Sequence, residues 1–274
     1  MTGSTTFAIL RGALPKETAM TLRTLLGRVL LLSLLLGTAP AGAEELRVVL
    51  TPRSVPFSYL DANGELTGFN VDVARAICAQ LGRTCRLETA AFADIIPAVA
   101  AGRYDLGAAN FLRTPERERE VAFTVPFWRS ASVFVGKAGR PMKTVGELLG
   151  EAQVCAVAGS AQQRYLSGQA GEHAANVRML PTGQDLLEGL ASGACQVALL
   201  PAMQALPFIK TPQGAGLAFL GTPLREHGLG GSVHMVVRRG DDALRTAVDH
   251  ALHDLIASGE HERLARRYFP FSIL

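Results

Sequence analysis

Strand-like and helix-like segments alternate along this sequence, which predicts an α/β protein with helices packed on sheets. Two further observations divide it into two lobes. The alternation comes as two similar blocks, and two apolar extended segments, 132–135 and 233–237, join them as paired connections. Each lobe is expected to hold a mainly parallel sheet flanked by helices, with two hinge connections. Lobe 1 is placed over 44–134 plus 235–274, and lobe 2 over 135–234.

The first block opens with a β-branched run at 46–50 (LRVVL) that ends at Thr51-Pro52. Asp61-Ala62-Asn63-Gly64 has turn chemistry. Asn70 is placed as the cap of a helix whose face is Val71, Ala74, Ile77, Cys78 and Leu81, with Gly82 as its stop. Residues 85–89 read as a strand. Asp94 to Gly102 reads as a capped helix with Pro97 in its first turn, where a missing N–H does no harm. Residues 104–109 form the next strand. Thr114 then has the place of an N-cap, with Pro115 as the first helical residue.

The second block repeats the pattern. Residues 154–158 form an apolar strand, and Gly159-Ser160 turns it into a helix over 161–166. A helix over 184–191 closes at Gly193, and the strand 195–200 runs into Pro201. A long amphipathic helix over 241–258 and a short one near 260–268 end the pattern.

Residues 29–36 (VLLLSLLL) form an apolar run preceded by Arg23 and Arg28. A spanning helix needs about 20 apolar residues, so this run is too short to cross a bilayer. Gly37, Pro40 and Ala41-Gly42-Ala43 follow, with small residues where a signal peptidase reads. This predicts a secretory signal peptide over 1–43, cleaved after Ala43, with Met20 as a candidate start. No cysteine lies near the cleavage point, so an exported protein without a lipid anchor is expected.

Export makes the four cysteines informative, because disulfides are the default in an oxidising compartment. Cys78 and Cys85 make a local pair, and Cys155 and Cys195 start apolar runs placed to bridge neighbouring strands. No Cys/His spacing supports a metal site. Lys and Arg number 27 against 24 Asp and Glu, a net charge of +3. With no basic stripe interleaved with aromatics, nucleic acid is not an expected partner. The run Glu116-Arg117-Glu118-Arg119-Glu120 reads as a solvated helix face, with Arg117 as the exception argued below.

The order of motifs resembles the family 3 extracellular solute-binding proteins, the polar-amino-acid-binding class of ABC importers. The matching stretches are Pro56-Phe57 with 64–69 (GELTGF), the helix NVDVARAICAQLG, Ile95-Ile96-Pro97-Ala98 and Gly102-Arg103-Tyr104-Asp105. Thr114-Pro115-Glu116-Arg117, Val121-Ala122-Phe123-Thr124 and Arg267-Tyr268-Phe269-Pro270-Phe271 complete the series. The resemblance spans nearly the whole mature chain. It implies a type II periplasmic-binding-protein fold, a small-molecule ligand, an inner-membrane ABC permease as partner, a monomer and no cofactor. The Cys78/Cys85 pair also looks like the disulfide of histidine-binding and lysine/arginine/ornithine-binding members.

Carried over residue by residue, the resemblance implies that Arg117 grips the ligand's carboxylate. A guanidinium forks onto a carboxylate, and a helix N-terminus adds amide donors and partial positive charge. Asn110 is implied to offer a carbonyl and Leu112 an amide N–H. Phe92 is implied as an apolar wall, and Ser160 and Ala161 as second-lobe amides, with Ser160 equally suited to N-capping. Ser54 stands where members often have an aromatic residue, and Thr51 where they have an acid. Pro201 stands where the resemblance implies an aspartate for an α-ammonium. Carboxylate recognition is therefore retained and ammonium recognition is not: either Glu226, Asp241 or another acid substitutes from elsewhere, or the ligand is not an ordinary α-amino acid.

The expected function is capture of a small carboxylate-bearing, amino-acid-like solute for import. A free-standing sensor or accessory protein is the alternative. A cyclohexadienyl-dehydratase-like enzyme is a further rival, but it needs a poised acid or base, and only Glu226-His227 offers a pair. His250, His253 and His261 lack a matching metal-ligand set and are expected on the surface.

Overall fold

A computed structural model describes residues 1–2 and 44–274, and the fold lies within Glu44–Leu274. The signal peptide expected over 1–43 falls outside the described residues, Met1 and Thr2 apart. Among the described residues no helix is long and apolar enough to cross a membrane.

The chain runs β1 (Glu45–Leu50), β2 (Arg53–Ser54), β3 (Ser58–Leu60), β4 (Leu66–Thr67), α1 (Phe69–Gln80), β5 (Thr84–Thr89), α2 (Phe92–Ala100) and β6 (Leu106–Leu112). It continues through α3 (Pro115–Glu120), β7 (Val121–Phe123), β8 (Trp128–Ser130), β9 (Ser132–Lys137), α4 (Val145–Glu151), β10 (Val154–Val157) and α5 (Ala161–Ala170). It ends with β11 (Val177–Leu180), α6 (Gly183–Ser192), β12 (Val197–Pro201), α7 (Ala202–Phe208), β13 (Leu217–Leu224), β14 (Gly231–Arg238), α8 (Asp242–Ala257) and α9 (Glu260–Ala265).

Two main sheets form, as expected. The first has the order β5-β1-β6-β14-β7, with β8 also on β14, and the second has the order β11-β10-β12-β9-β13. Strands β5, β1 and β6 are parallel, and so are β11, β10 and β12. The remaining pairings are antiparallel, so each sheet is mixed around a parallel trio. The reason is topological: β9 and β14 each enter a sheet from the other lobe and therefore run against its trio. Strand β9 lies wholly in the second sheet and β14 wholly in the first. The boundaries expected at 134/135 and 234/235 fall inside these strands, because an apolar extended run reads the same beside a crossing as within one. The chain changes sheets at Ala131 and again across 225–230. The two crossings touch: a Cβ on Gly230 would lie 2.8 Å from the Ser130 carbonyl oxygen and 3.2 Å from Ala131 Cα. Only glycine fits that approach.

Each sheet buries both faces, as strands flanked by helices must. Val71 and Ile77 of α1 pack with Val248 and Leu252 of α8 on one face of the first sheet. Ile95, Ile96 and Val99 of α2 pack with Val49, Phe111 and Val236 on the other. In the second lobe Leu199 faces the α4–α5 side and Leu200 the α6–α7 side, as strand alternation requires. Each such buried Leu stabilises the fold by about 1.5–3 kcal/mol.

Both cysteine pairs are joined, Cys78 to Cys85 and Cys155 to Cys195. The second closes the longer span, 40 residues against 7. Loop-closure entropy makes it the stronger constraint, about 4 kcal/mol against about 2.5.

Three expectations need correction. Helix α1 starts at Phe69 with Gly68 as N-cap, and Asn70 is fully buried inside it. Its amide spans to β6, which a capping role hides from sequence. Helix α2 starts at Phe92, and Pro97 falls in its interior beyond the first turn. His261 is fully buried, its ring edge-on to Phe69 with centroids 5.4 Å apart, although His250 and His253 are exposed as expected. A charged neighbourhood in sequence concealed an inward-facing position on α9.

Candidate functional site

The carboxyl ends of β1, β6, β10 and β12 and the starts of α2, α3, α5 and α6 converge on one cavity between the lobes. That is where an open α/β sheet presents its loops, and helix starts bring orphan amides and positive partial charge. The cavity measures about 60 Å³. Arg117, Asn110, Leu112, Phe92, Ser54, Ser160 and Ala161 all line it. So do Thr51 and Pro201.

Arg117 sits in the first turn of α3, whose N-cap Thr114 accepts from the Arg117 amide and whose first residue is Pro115. The helix thereby turns one member of an otherwise exposed charged run inward. Arg117 retains only 6% exposure. Its Nη1 donates to the Leu112 carbonyl at 2.8 Å and its Nη2 to the Gly159 carbonyl at 3.0 Å. The guanidinium carbon lies 5.5 Å from the centre of the Phe92 ring and 5.6 Å from that of Phe111. Those two rings stack with centroids 5.0 Å apart. Aromatic faces favour the cation. Burial pulls the guanidinium down to about 10, with Arg164 adding repulsion and Glu116 and Glu120 opposing it. It stays cationic at neutral pH, and among the described residues it forms no ion pair.

Around it the polar groups are oriented by neighbours. Asn70 Nδ2 donates to Asn110 Oδ1 at 2.9 Å and to the Ala108 carbonyl at 3.3 Å. A carbonyl only accepts, so the Asn70 amide orientation is fixed, and with it that of Asn110. Asn110 is left with its Nδ2 donors. Ser160 caps α5 by accepting from the Gln163 amide, and its own N–H goes to the Val157 carbonyl. The remaining first-turn amides belong to Ala161 and Gln162, which both line the cavity. Leu112 contributes its carbonyl to Arg117, a use that the expected amide role did not include.

Several contacts tie lobe to lobe. Gln204 donates to Ser54 Oγ at 2.5 Å, and Arg53 pairs with Asp185 and Glu188, each at 2.7 Å. Arg164 reaches Glu116 at 2.9 Å. Gly159 has φ +73°, and a Cβ there would come within 2.8 Å of Ala93 on α2. The lobes are thus closed on each other, and only glycine allows this approach. Arg53, Gln204, Gly159 and Phe111 were missed as site residues. Gly159 alone carried a signal, as the turn residue between strand and helix.

Glu226 and His227 are both exposed, and Asp241 caps α8 by accepting from the Leu244 amide. None of the three lines the cavity. Glu226 and Asp241 therefore do not substitute for the acid missing at Pro201. No group of three or more potential metal ligands occurs among the described residues.

The family model described as bacterial extracellular solute-binding proteins, family 3, matches residues 46–271. The lysine/arginine/ornithine-binding periplasmic protein of Escherichia coli (strain K12) is 28% identical over 254 residues, covering 89% of this chain and 97% of that one. The L-arginine-binding protein of Pseudomonas aeruginosa is 28% identical over 251 residues, covering 91% and 96%. An ancestral arginine-binding protein bound to arginine superposes with a TM-score of 0.75 at 27% identity, over 82% of this chain and 98% of that one.

Proposed function

The chain belongs to the bacterial extracellular solute-binding proteins of family 3, and on that premise we propose that it is the periplasmic substrate-binding component of an ABC importer for a small carboxylate-bearing solute of amino-acid size. The single observation that carries this is Arg117, a buried cation with no ion-pair partner among the described residues, at a helix start inside the interlobe cavity. A desolvated guanidinium favours a bidentate carboxylate, and the Phe92 and Phe111 rings stacked beside it favour the cation. The relatives named above are binding proteins, and all three have arginine in their names, which supports binding rather than catalysis.

The mechanism is hinge closure. The solute docks on the first lobe through Arg117, with Asn110 beside it and Phe92 bracing the guanidinium. The second lobe swings about Ala131 and 225–230, bringing the Ala161 and Gln162 amides to the same anion. Closure also makes the Gly159 carbonyl a partner of Arg117. The closed lobes then present a surface that an inner-membrane permease distinguishes from the open form.

A thermal-shift screen of short carboxylates against their methyl esters tests this. A ligand of the native state raises the melting temperature by mass action. At least one carboxylate should raise it while its ester does not. A screen in which no carboxylate moves the transition would overturn the proposal.

A further inference from the structure

We propose that the solute is a short carboxylate carrying an oxygen where an amino acid carries its ammonium, that is, a 2-oxo or 2-hydroxy acid. This rests on the carboxylate-binding role of Arg117 and narrows it to a chemical class.

The charge around the cavity is one-sided. Among the described residues that line it, two are arginines and none is Asp or Glu. Asp185 and Glu188, on the helix α6 whose start lines the cavity, are engaged elsewhere. Asp185 takes Arg53 on one oxygen and the Thr182 hydroxyl, at 2.6 Å, on the other, while Glu188 holds the second arm of Arg53. Arg53 is thereby paired with two carboxylates, neither of which lines the cavity. Among the described residues Arg117 remains the lining cation without an ion-pair partner, and a carboxylate on the solute supplies one. An amino acid would bring a second cation into the same enclosure with no carboxylate to meet it, and a buried charge without a counter-ion is disfavoured.

The neutral groups agree. Asn110 has its oxygen tied to Asn70 and presents donors. Donors suit a keto or hydroxyl oxygen and have nothing to offer an ammonium, which only donates. On the opposite wall, the end of β12 supplies Leu199, Leu200 and Pro201, whose side chains have no polar atom. Gln204 there has its amide nitrogen committed to Ser54, so its oxygen is the side chain's remaining acceptor. Neutral acceptors such as this one do not replace a carboxylate.

Calorimetric titration of the purified protein with matched pairs tests the assignment: pyruvate and lactate against alanine, and 2-oxobutyrate against 2-aminobutyrate. An oxo or hydroxy acid should bind at least about tenfold more tightly than its amino partner. Pro201→Asp should shrink or reverse that ratio by supplying an acid, and Asp suits the helix N-cap that Pro201 occupies. An amino acid binding as tightly as its oxo or hydroxy partner would overturn this inference and leave the carboxylate reading intact. An unchanged ratio in Pro201→Asp would also overturn it. Failure of both series to bind at millimolar concentration would overturn the carboxylate reading along with it.

Discussion

Arg117 and Gly159 meet across the gap between the lobes, the Arg117 Nη2 donating to the Gly159 carbonyl at 3.0 Å. The residue that would grip the solute from one lobe is thus also a sensor of the other lobe's position. Binding and closure share one side chain, so a defect in either should be readable in both.

Gly159→Ala should impair closure. The positive φ disfavours any other residue, and the added Cβ would press on Ala93 at 2.8 Å. The first lobe keeps its site, so the expected outcome is weaker binding with a larger radius of gyration in small-angle scattering with ligand. A variant as compact and as tight as wild type would show that the approach of Gly159 to α2 has no part in closure.

The ion pairs of Arg53 and Arg164 lie at the rim, and their side chains are each 47% exposed. Exposed pairs contribute little and are screened by salt. Arg53→Ala should therefore weaken ligand affinity by no more than roughly fivefold. The loss should shrink in high salt, which already screens the pair in wild type. A larger loss that persists in high salt would mean that Arg53 touches the solute directly.

Stability should fall on mild acidification. Burial pushes the imidazoles of His234 and His261 below their ordinary value of 6.5. The unfolded chain then binds protons more readily than the folded one. The stability linked to these residues is complete above 6.5 and is lost as pH falls from there through the folded values. Melting temperature should drop between about pH 7 and pH 5. His261→Phe, which keeps an aromatic ring against Phe69, should flatten that slope. An equal slope in the variant would place the effect elsewhere.

Much of this was legible in the sequence because it depends on local signals. Thr114-Pro115 announced a helix start and so placed Arg117 at its first turn, and the turn at Gly159-Ser160 did the same for α5. The cysteine positions were readable because the export signal set their redox setting. The remainder depends on contacts between distant segments. The inward orientation of Asn70 is fixed by Ala108 and Asn110, 38 and 40 residues away. Gln204 and Ser54 are 150 residues apart, and nothing local to either announces their bond. His261 looked like a surface residue because Glu260, Glu262 and Arg263 surround it, although one residue of a short helix turned inward suffices to bury it.

The most direct measurement is calorimetric titration of Arg117→Ala beside wild type with the tightest carboxylate that the screens find. Truncating one partner of a desolvated charge pair costs about 2–5 kcal/mol of affinity. The account predicts a loss of that size, with the unliganded variant still folding cooperatively. Binding of the same carboxylate by Arg117→Ala within about twofold of wild type, less than 0.5 kcal/mol by the same arithmetic, would contradict it.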